Sequence, residues 1–151
     1  MFINKDLYKK ILDSIPVLTV DIVIFNKNKD KILLFKRNNN PLKGIYYTPG
    51  GRVNKNEPLN NAILRKGKEE LGLNLNSSEL RHCGILEEFF DNSSFGDASS
   101  HHINIVYEYI LEDINLINLD NQHEEFKWFD INDLSLHFYL KKKINLCLNR
   151  S

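Results

Sequence analysis

Three observations predict an α/β sandwich around a mixed β-sheet. Residues 17–25 are an almost unbroken run of β-branched and aromatic side chains, the pattern of a strand covered on both faces. Pro58 to Leu71 lacks internal proline, is rich in helix formers and repeats Leu59, Ala62 and Ile63 at helical spacing. Leu80 to Phe90 and His101 to Leu111 read as two more long strands, separated by the polar, glycine-containing loop from Asp91 to Ser100.

The remaining elements fall between these. Leu7, Tyr8, Ile11 and Leu12 make a short amphipathic helix that closes before Pro16. Lys31 to Lys36 is a strand paired with the first across the Asn26–Asp30 turn, and Arg37 follows it into an Asn-rich loop ending in Pro41. Ile45 to Thr48 leads into a turn at Gly50-Gly51. Glu125 to Phe129 alternates around Phe126 and Trp128 as a short strand, and Ile131 to Leu134 and Phe138 to Leu148 suggest two closing helices. The 151 residues suffice for one domain, 1–151, with a real core.

Composition narrows the function. Lysine plus arginine and aspartate plus glutamate both number 20, so nothing suggests a nucleic-acid binder or a membrane-surface protein. A phosphate-bearing ligand must then be met locally, by a few placed arginines and a metal. The two cysteines, Cys83 and Cys147, form no CxxC pair or metal spacing, and the chain shows neither a signal peptide nor an apolar run of membrane length. A reduced cytoplasm is the expected home. Asp21 interrupts the first strand, where a carboxylate is costly unless paired; it either has a partner or faces water at a strand edge.

The helix of residues 58–71 carries the densest chemistry. Arg65 and Glu69 lie one turn apart, as do Lys66 and Glu70, so each pair can meet along the helix. Glu69 and Glu70 aim at different partners. Gly67 costs such a helix about 1 kcal/mol against alanine, which implies close packing there, and Leu71-Gly72 supplies a stop. Gly51, Glu57, Arg65, Glu69, Glu70 and Gly72 stand at the spacing of the box G-x5-E-x7-R-E-U-x-E-E-x-G-U, where U is bulky and apolar. Lys66 takes the place of the first helical glutamate.

That spacing resembles the Nudix superfamily, which implies a Nudix-type α/β/α sandwich. Beyond the box, the chain resembles the GDP-mannose mannosyl hydrolase branch over nearly its whole length. The carriers are Val-Asp-Ile-Val around Asp21, Phe-Lys-Arg at 35–37, residues 41–53 from Pro41 through Arg52 to Val53, and Asp-Asn-Gln-His-Glu-Glu-Phe-Lys-Trp at 120–128. The resemblance implies a Mg2+-dependent hydrolysis of GDP-mannose, or of GDP-glucose, to GDP and free sugar. Water would attack the anomeric carbon with inversion. Two helical carboxylates with an ammonium beside them favour a single Mg2+, with Mn2+ able to substitute.

The resemblance assigns roles residue by residue. The Gly50 carbonyl, Glu70 carboxylate and Gln122 amide oxygen are the implied metal ligands, and His123 the general base. Arg37 and Arg52 are the diphosphate clamps, although Arg37 could equally be solvated and Arg52 could pair with Glu57. Asp21 meets sugar hydroxyls or supports the base. Glu57, Arg65 and Glu69 play supporting roles. Glu88 and His102 stand where the family has a histidine and a tyrosine, which puts the identity of the sugar in doubt. The resemblance also implies a homodimer. Two other functions stay open: an ordinary Nudix pyrophosphatase that cuts the phosphoanhydride, and a module that binds nucleotide sugars without turnover.

Overall fold

The structure, a computed structural model, describes residues 1–118 and 123–149; the side chains of His123 and Glu124 lie outside that description. In chain order the elements are α1 (Lys5–Ser14), β1 (Val17–Phe25), β2 (Lys31–Arg37), β3 (Tyr46–Tyr47) and β4 (Gly50–Arg52). Then follow α2 (Leu59–Leu71), β5 (Arg81–Phe90), β6 (Ser100–Ile110), β7 (His123–Asp130) and α3 (Phe138–Cys147). The sheet runs β3-β2-β1-β6-β5, with β4 pairing β1 and β7 pairing β2. Among the described residues only β1 and β6 pair in parallel, so the sheet is mixed as expected.

Alternation along β1 divides the core between two layers. Val20, Ile22 and Ile24 join Ala62, Ile63 and Leu71 under α2. Val23 and Phe25 join Leu140, Ile144 and Cys147 under α3. The helices thus cover opposite faces, and odd-numbered Asp21 belongs to the α3 face. β1 is central, so Asp21 cannot be an edge residue facing water; it is buried.

Two elements differ in kind from the sequence expectation, and β7 runs past the expected 125–129 at both ends. Gly50-Gly51 is strand β4, which pairs Asp21 with Gly50 and Val20 with Gly51. A β-carbon on Gly50 would collide with the Val20 carbonyl and an Asp21 carboxylate oxygen, so the close approach of β4 to β1 requires glycine. Ile131 to Leu134 is a pair of turns, not a helix. Asp130 accepts the Asn132 amide at 2.8 Å and Asp133 accepts the Ser135 amide at 2.8 Å, local bonds that compete with helical ones. Among the described residues no helix is long and apolar enough to cross a membrane.

α2 begins one residue later than expected, with Pro58 as its N-cap, and stops at Gly72 in a left-handed conformation at φ 65°. Inside it, a β-carbon on Gly67 would lie 2.6 Å from Leu75 Cδ1, so the helix gives up propensity to seat the following chain. Gly72→Ala should destabilise the protein by about 1–2 kcal/mol from left-handed strain, with a further cost where its β-carbon meets Asn118. Thermal unfolding of the variant measures this, and an unchanged midpoint would contradict it.

Candidate active site

Asp21, Arg37, Gly50, Arg52, Glu70, Glu88 and His102, scattered through the sequence, line a single cleft. Tyr8 of α1, Thr48 and Lys66 share its walls. The cleft lies where β1, β4 and β6 meet α1 and the start of the β2–β3 loop. His123 opens β7 opposite Arg37 in the β2–β7 ladder, where a register shift follows Phe35. Gln122 lies outside the described residues, as does the His123 side chain.

The three box carboxylates separate sharply. Glu57 takes two Arg65 guanidinium bonds, at 2.6 and 2.9 Å, and the Asn54 amide at 2.9 Å. These bonds, led by Arg65, lower its carboxyl to about 2, so the stability it contributes is complete above the ordinary 4.5 and is lost only as pH falls through about 2. Arg65 also reaches the Arg52 carbonyl at 2.9 Å and Glu69 at 3.1 Å, tying the loop before α2 to the helix. Arg52 does not pair with Glu57. Its guanidinium donates to the Met1 carbonyl at 2.9 Å and lies 4.9 Å from the centre of the Tyr8 ring. Glu69 is half exposed.

Glu70 alone of the three turns into the cleft, only 2% exposed. One oxygen accepts the Gly50 amide at 3.1 Å, and the other lies 2.8 Å from the Lys66 ammonium. Gly51 makes this possible: a β-carbon there would sit 2.6 Å from Lys66 Cε. The pairing of Lys66 with Glu70 and of Arg65 with Glu69 follows the expected helical spacing.

The cleft floor holds an ion cluster that the sequence reading did not include. Lys143 of α3 is 0% exposed, and its ammonium touches Asp21, the Thr48 hydroxyl at 3.0 Å and Glu88 at 3.2 Å. The ammonium also lies 4.1 Å from the centre of the Tyr47 ring. Asp21 additionally accepts the Thr48 hydroxyl at 2.7 Å. Glu88 accepts the Tyr47 hydroxyl and the Asn104 amide, the latter at 2.6 Å, so both of its oxygens are engaged. Burial alone would raise the Glu88 carboxyl, but Lys143 and these donors outweigh it and hold it below the ordinary value. Burial, then Glu88 and Asp21, push the Tyr47 hydroxyl well up, which keeps it a donor. Burial lowers the His102 imidazole, so it is uncharged at neutral pH.

Lys143 hides in the run Lys141-Lys142-Lys143, which reads as solvated charge. The signal was its spacing: Tyr139, Leu140, Ile144 and Cys147 are buried on the same helix face. A second signal was the unmet need of Asp21 for a partner.

This fold and this box define the class. A family model of the NUDIX domain matches residues 16–147, and the chain belongs to the Nudix hydrolase family. It is 34% identical over 144 residues to the low-salt glycan biosynthesis protein Agl8 of Haloferax volcanii, spanning 95% of this chain and 89% of that protein. It is 37% identical over 132 residues to the ADP-ribose pyrophosphatase of Methanocaldococcus jannaschii, spanning 87% and 72%. Among solved structures it resembles a MutT NUDIX hydrolase from Burkholderia pseudomallei, with a TM-score of 0.70 at 24% identity over 88% of this chain and 98% of that one. Nudix hydrolases in general use divalent ions such as Mg2+. The cleft offers that chemistry the buried Glu70 carboxylate, a hard oxygen donor, held against the Gly50 amide.

Lys143→Met should destabilise the fold by about 3–5 kcal/mol, because it strands two buried carboxylates. Its pH dependence should also reverse. In the parent chain the Glu88 contribution is complete above the ordinary value and is lost as pH falls through the lowered one; in the variant, burial raises Glu88 and stability grows as pH falls. Denaturant unfolding at pH 7 and pH 5 reads the sign, and parallel slopes for both proteins would contradict the cluster.

Proposed function

We propose that the protein hydrolyses a nucleoside diphosphate sugar of the GDP-mannose or GDP-glucose type, with water attacking the anomeric carbon to release the diphosphate and free sugar. The observation that carries this reading is Lys66, whose ammonium sits 2.8 Å from Glu70 where another carboxylate would serve further cations. A cleft so equipped suits one ion. One ion held by its single buried box carboxylate would neutralise a departing diphosphate, whereas the site is poorly furnished to assemble several ions around a phosphorus atom. The relative whose name refers to glycan biosynthesis supports a sugar-bearing substrate.

Glu70 and the Gly50 carbonyl, with Gln122, are the residues that would hold Mg2+, which when bound supplies positive charge to the leaving diphosphate. Lys66 must leave Glu70 for that ion, and its flexible stem can carry the ammonium toward a phosphate oxygen instead. Arg37, whose Nε is already fixed on the Pro41 carbonyl at 2.8 Å, and Arg52 present guanidinium charge to the diphosphate. His123, opposite Arg37 across the ladder, takes the proton of the attacking water. Asp21 and Thr48 shape the sugar side. Glu88, with both oxygens committed, acts as counter-charge to Lys143, which leaves His102 as the neighbouring donor. Glu57, Arg65 and Glu69 hold the loop and helix that present Glu70. Direct displacement inverts the anomeric centre. The homodimer belongs to the same proposal.

A second reading is cleavage between the phosphorus atoms, favoured by the 37% identity to an ADP-ribose pyrophosphatase. Products and isotope separate the two. Hydrolysis of GDP-mannose in 18O-water should give GDP with the label in the sugar; GMP and labelled phosphate would establish the second reading. No turnover of any nucleotide sugar would leave binding alone. His123→Gln should lower turnover by a factor of about 10^2 to 10^4, as expected for a positioned base, with Mg2+ affinity retained. An unchanged rate would remove His123 from that role. Lys66→Glu should tighten Mg2+ binding, measured by calorimetry, because a carboxylate replaces the competing ammonium.

A further inference from the structure

Away from the cleft, the chain's only two cysteines meet. Cys83 Sγ, Cys147 Sγ and a Glu108 oxygen all lie within 4.8 Å of one another. Each comes from a different element: Cys83 from β5, Glu108 from β6 and Cys147 from the last turn of α3. The backbone is shaped for the encounter. The β5–β6 ladder pairs His82 with Tyr107 and then Gly84 with Val106, so Cys83 is the extra residue of a bulge, a device that re-aims a side chain. Glycine at 84, with φ 148°, lets α3 settle there, since a β-carbon would lie 2.9 Å from Leu146 Cδ1.

Glu108 supplies the independent observation. Lys29 at 2.8 Å and Arg81 at 2.5 Å both bind its Oε1. Oε2 is buried and has no hydrogen-bond partner among the described residues. A buried carboxylate oxygen with no protein donor is an acceptor open to a water or an ion, and the two thiols beside it favour the ion.

We propose that Cys83, Cys147 and Glu108 bind one thiophilic divalent cation, of which Zn2+ is the common biological example, as a clip between α3 and the β5–β6 edge. Two thiolates and a carboxylate are suitable ligands for such an ion, and half-exposed Cys83 leaves the solvent side open for water as a fourth. Charge balances: the ion replaces two thiol protons, so the net charge around Lys29, Arg81 and Glu108 is unchanged. Sulfur–metal bonds of about 2.3 Å place two tetrahedral sulfurs about 3.8 Å apart, inside the 4.8 Å that spans the cluster. Ligand softness keeps this site distinct from the cleft, where hard oxygen donors face Mg2+. The clip would fix the end of the helix that carries Lys143, and it does not depend on which bond the enzyme cuts.

The test titrates the reduced, metal-stripped full chain with Cd2+ and follows thiolate-to-metal absorption in the near ultraviolet. Because no other cysteines exist, such a band can come from Cys83 and Cys147 alone. The expected result is saturation at one Cd2+ per chain, reversal by Zn2+, and a Zn2+-dependent rise in melting temperature. Cys83→Ser, at a half-exposed position, should weaken Cd2+ binding at least tenfold and abolish the thermal effect while circular dichroism shows a folded chain. Absence of the band, full band intensity in Cys83→Ser, or one ion bridging two chains would overturn the site.

Discussion

A single ammonium buried beneath the sheet organises this protein. Lys143 reaches from α3 into the core to touch Asp21 in the central strand and Glu88 in β5. Burying three charges is expensive, and their mutual pairing, with further hydrogen bonds to the charged groups, makes it tolerable. Thr48, Tyr47 and Asn104 complete that arrangement. The cluster therefore fixes β1, β5, the chain before β4 and α3 against one another, and its upper surface is the floor of the cleft. An enzyme that must present polar groups to a ligand without letting them move gains from such a floor.

A second lysine works at the cleft wall. Lys66 neutralises Glu70, much as Lys143 neutralises Asp21 and Glu88, but it lies on a flexible stem with access to solvent. The first cluster is closed beneath the sheet, whereas the second pair lies at the cleft wall, where the proposed cation would displace the ammonium. Arg65 keeps the other two box carboxylates occupied, so the acidic residues of one short segment serve different ends. Glu57 and Glu69 brace the loop, and Glu70 faces the cleft.

Much of this was legible in the chain. The β1 span is the expected one, because continuous β-branched residues leave few alternatives to a covered strand. The α2 face and its glycine stop also follow directly from spacing. Ile131 to Leu134 misled because apolar content suggested a helix while Asp130 and Asp133 captured the nearby amides. Gly50-Gly51 looked like a turn because glycine marks both turns and close strand contacts; only the path of β1 shows which applies. Lys143 and the Cys83–Cys147 meeting were hidden for a different reason. Helical spacing marks Lys143 as inward-facing, but its partners, like the meeting of the two cysteines, are set by packing between residues far apart in sequence.

The most direct measurement is carbon-detected NMR of the Glu88 side-chain carboxyl as pH is lowered. If Lys143 holds the floor anionic, Glu88 is ionised at neutral pH and protonates only below the ordinary glutamate value. Protonation above that value would mean that burial outweighs the ammonium, and the organising role given to Lys143 would fail.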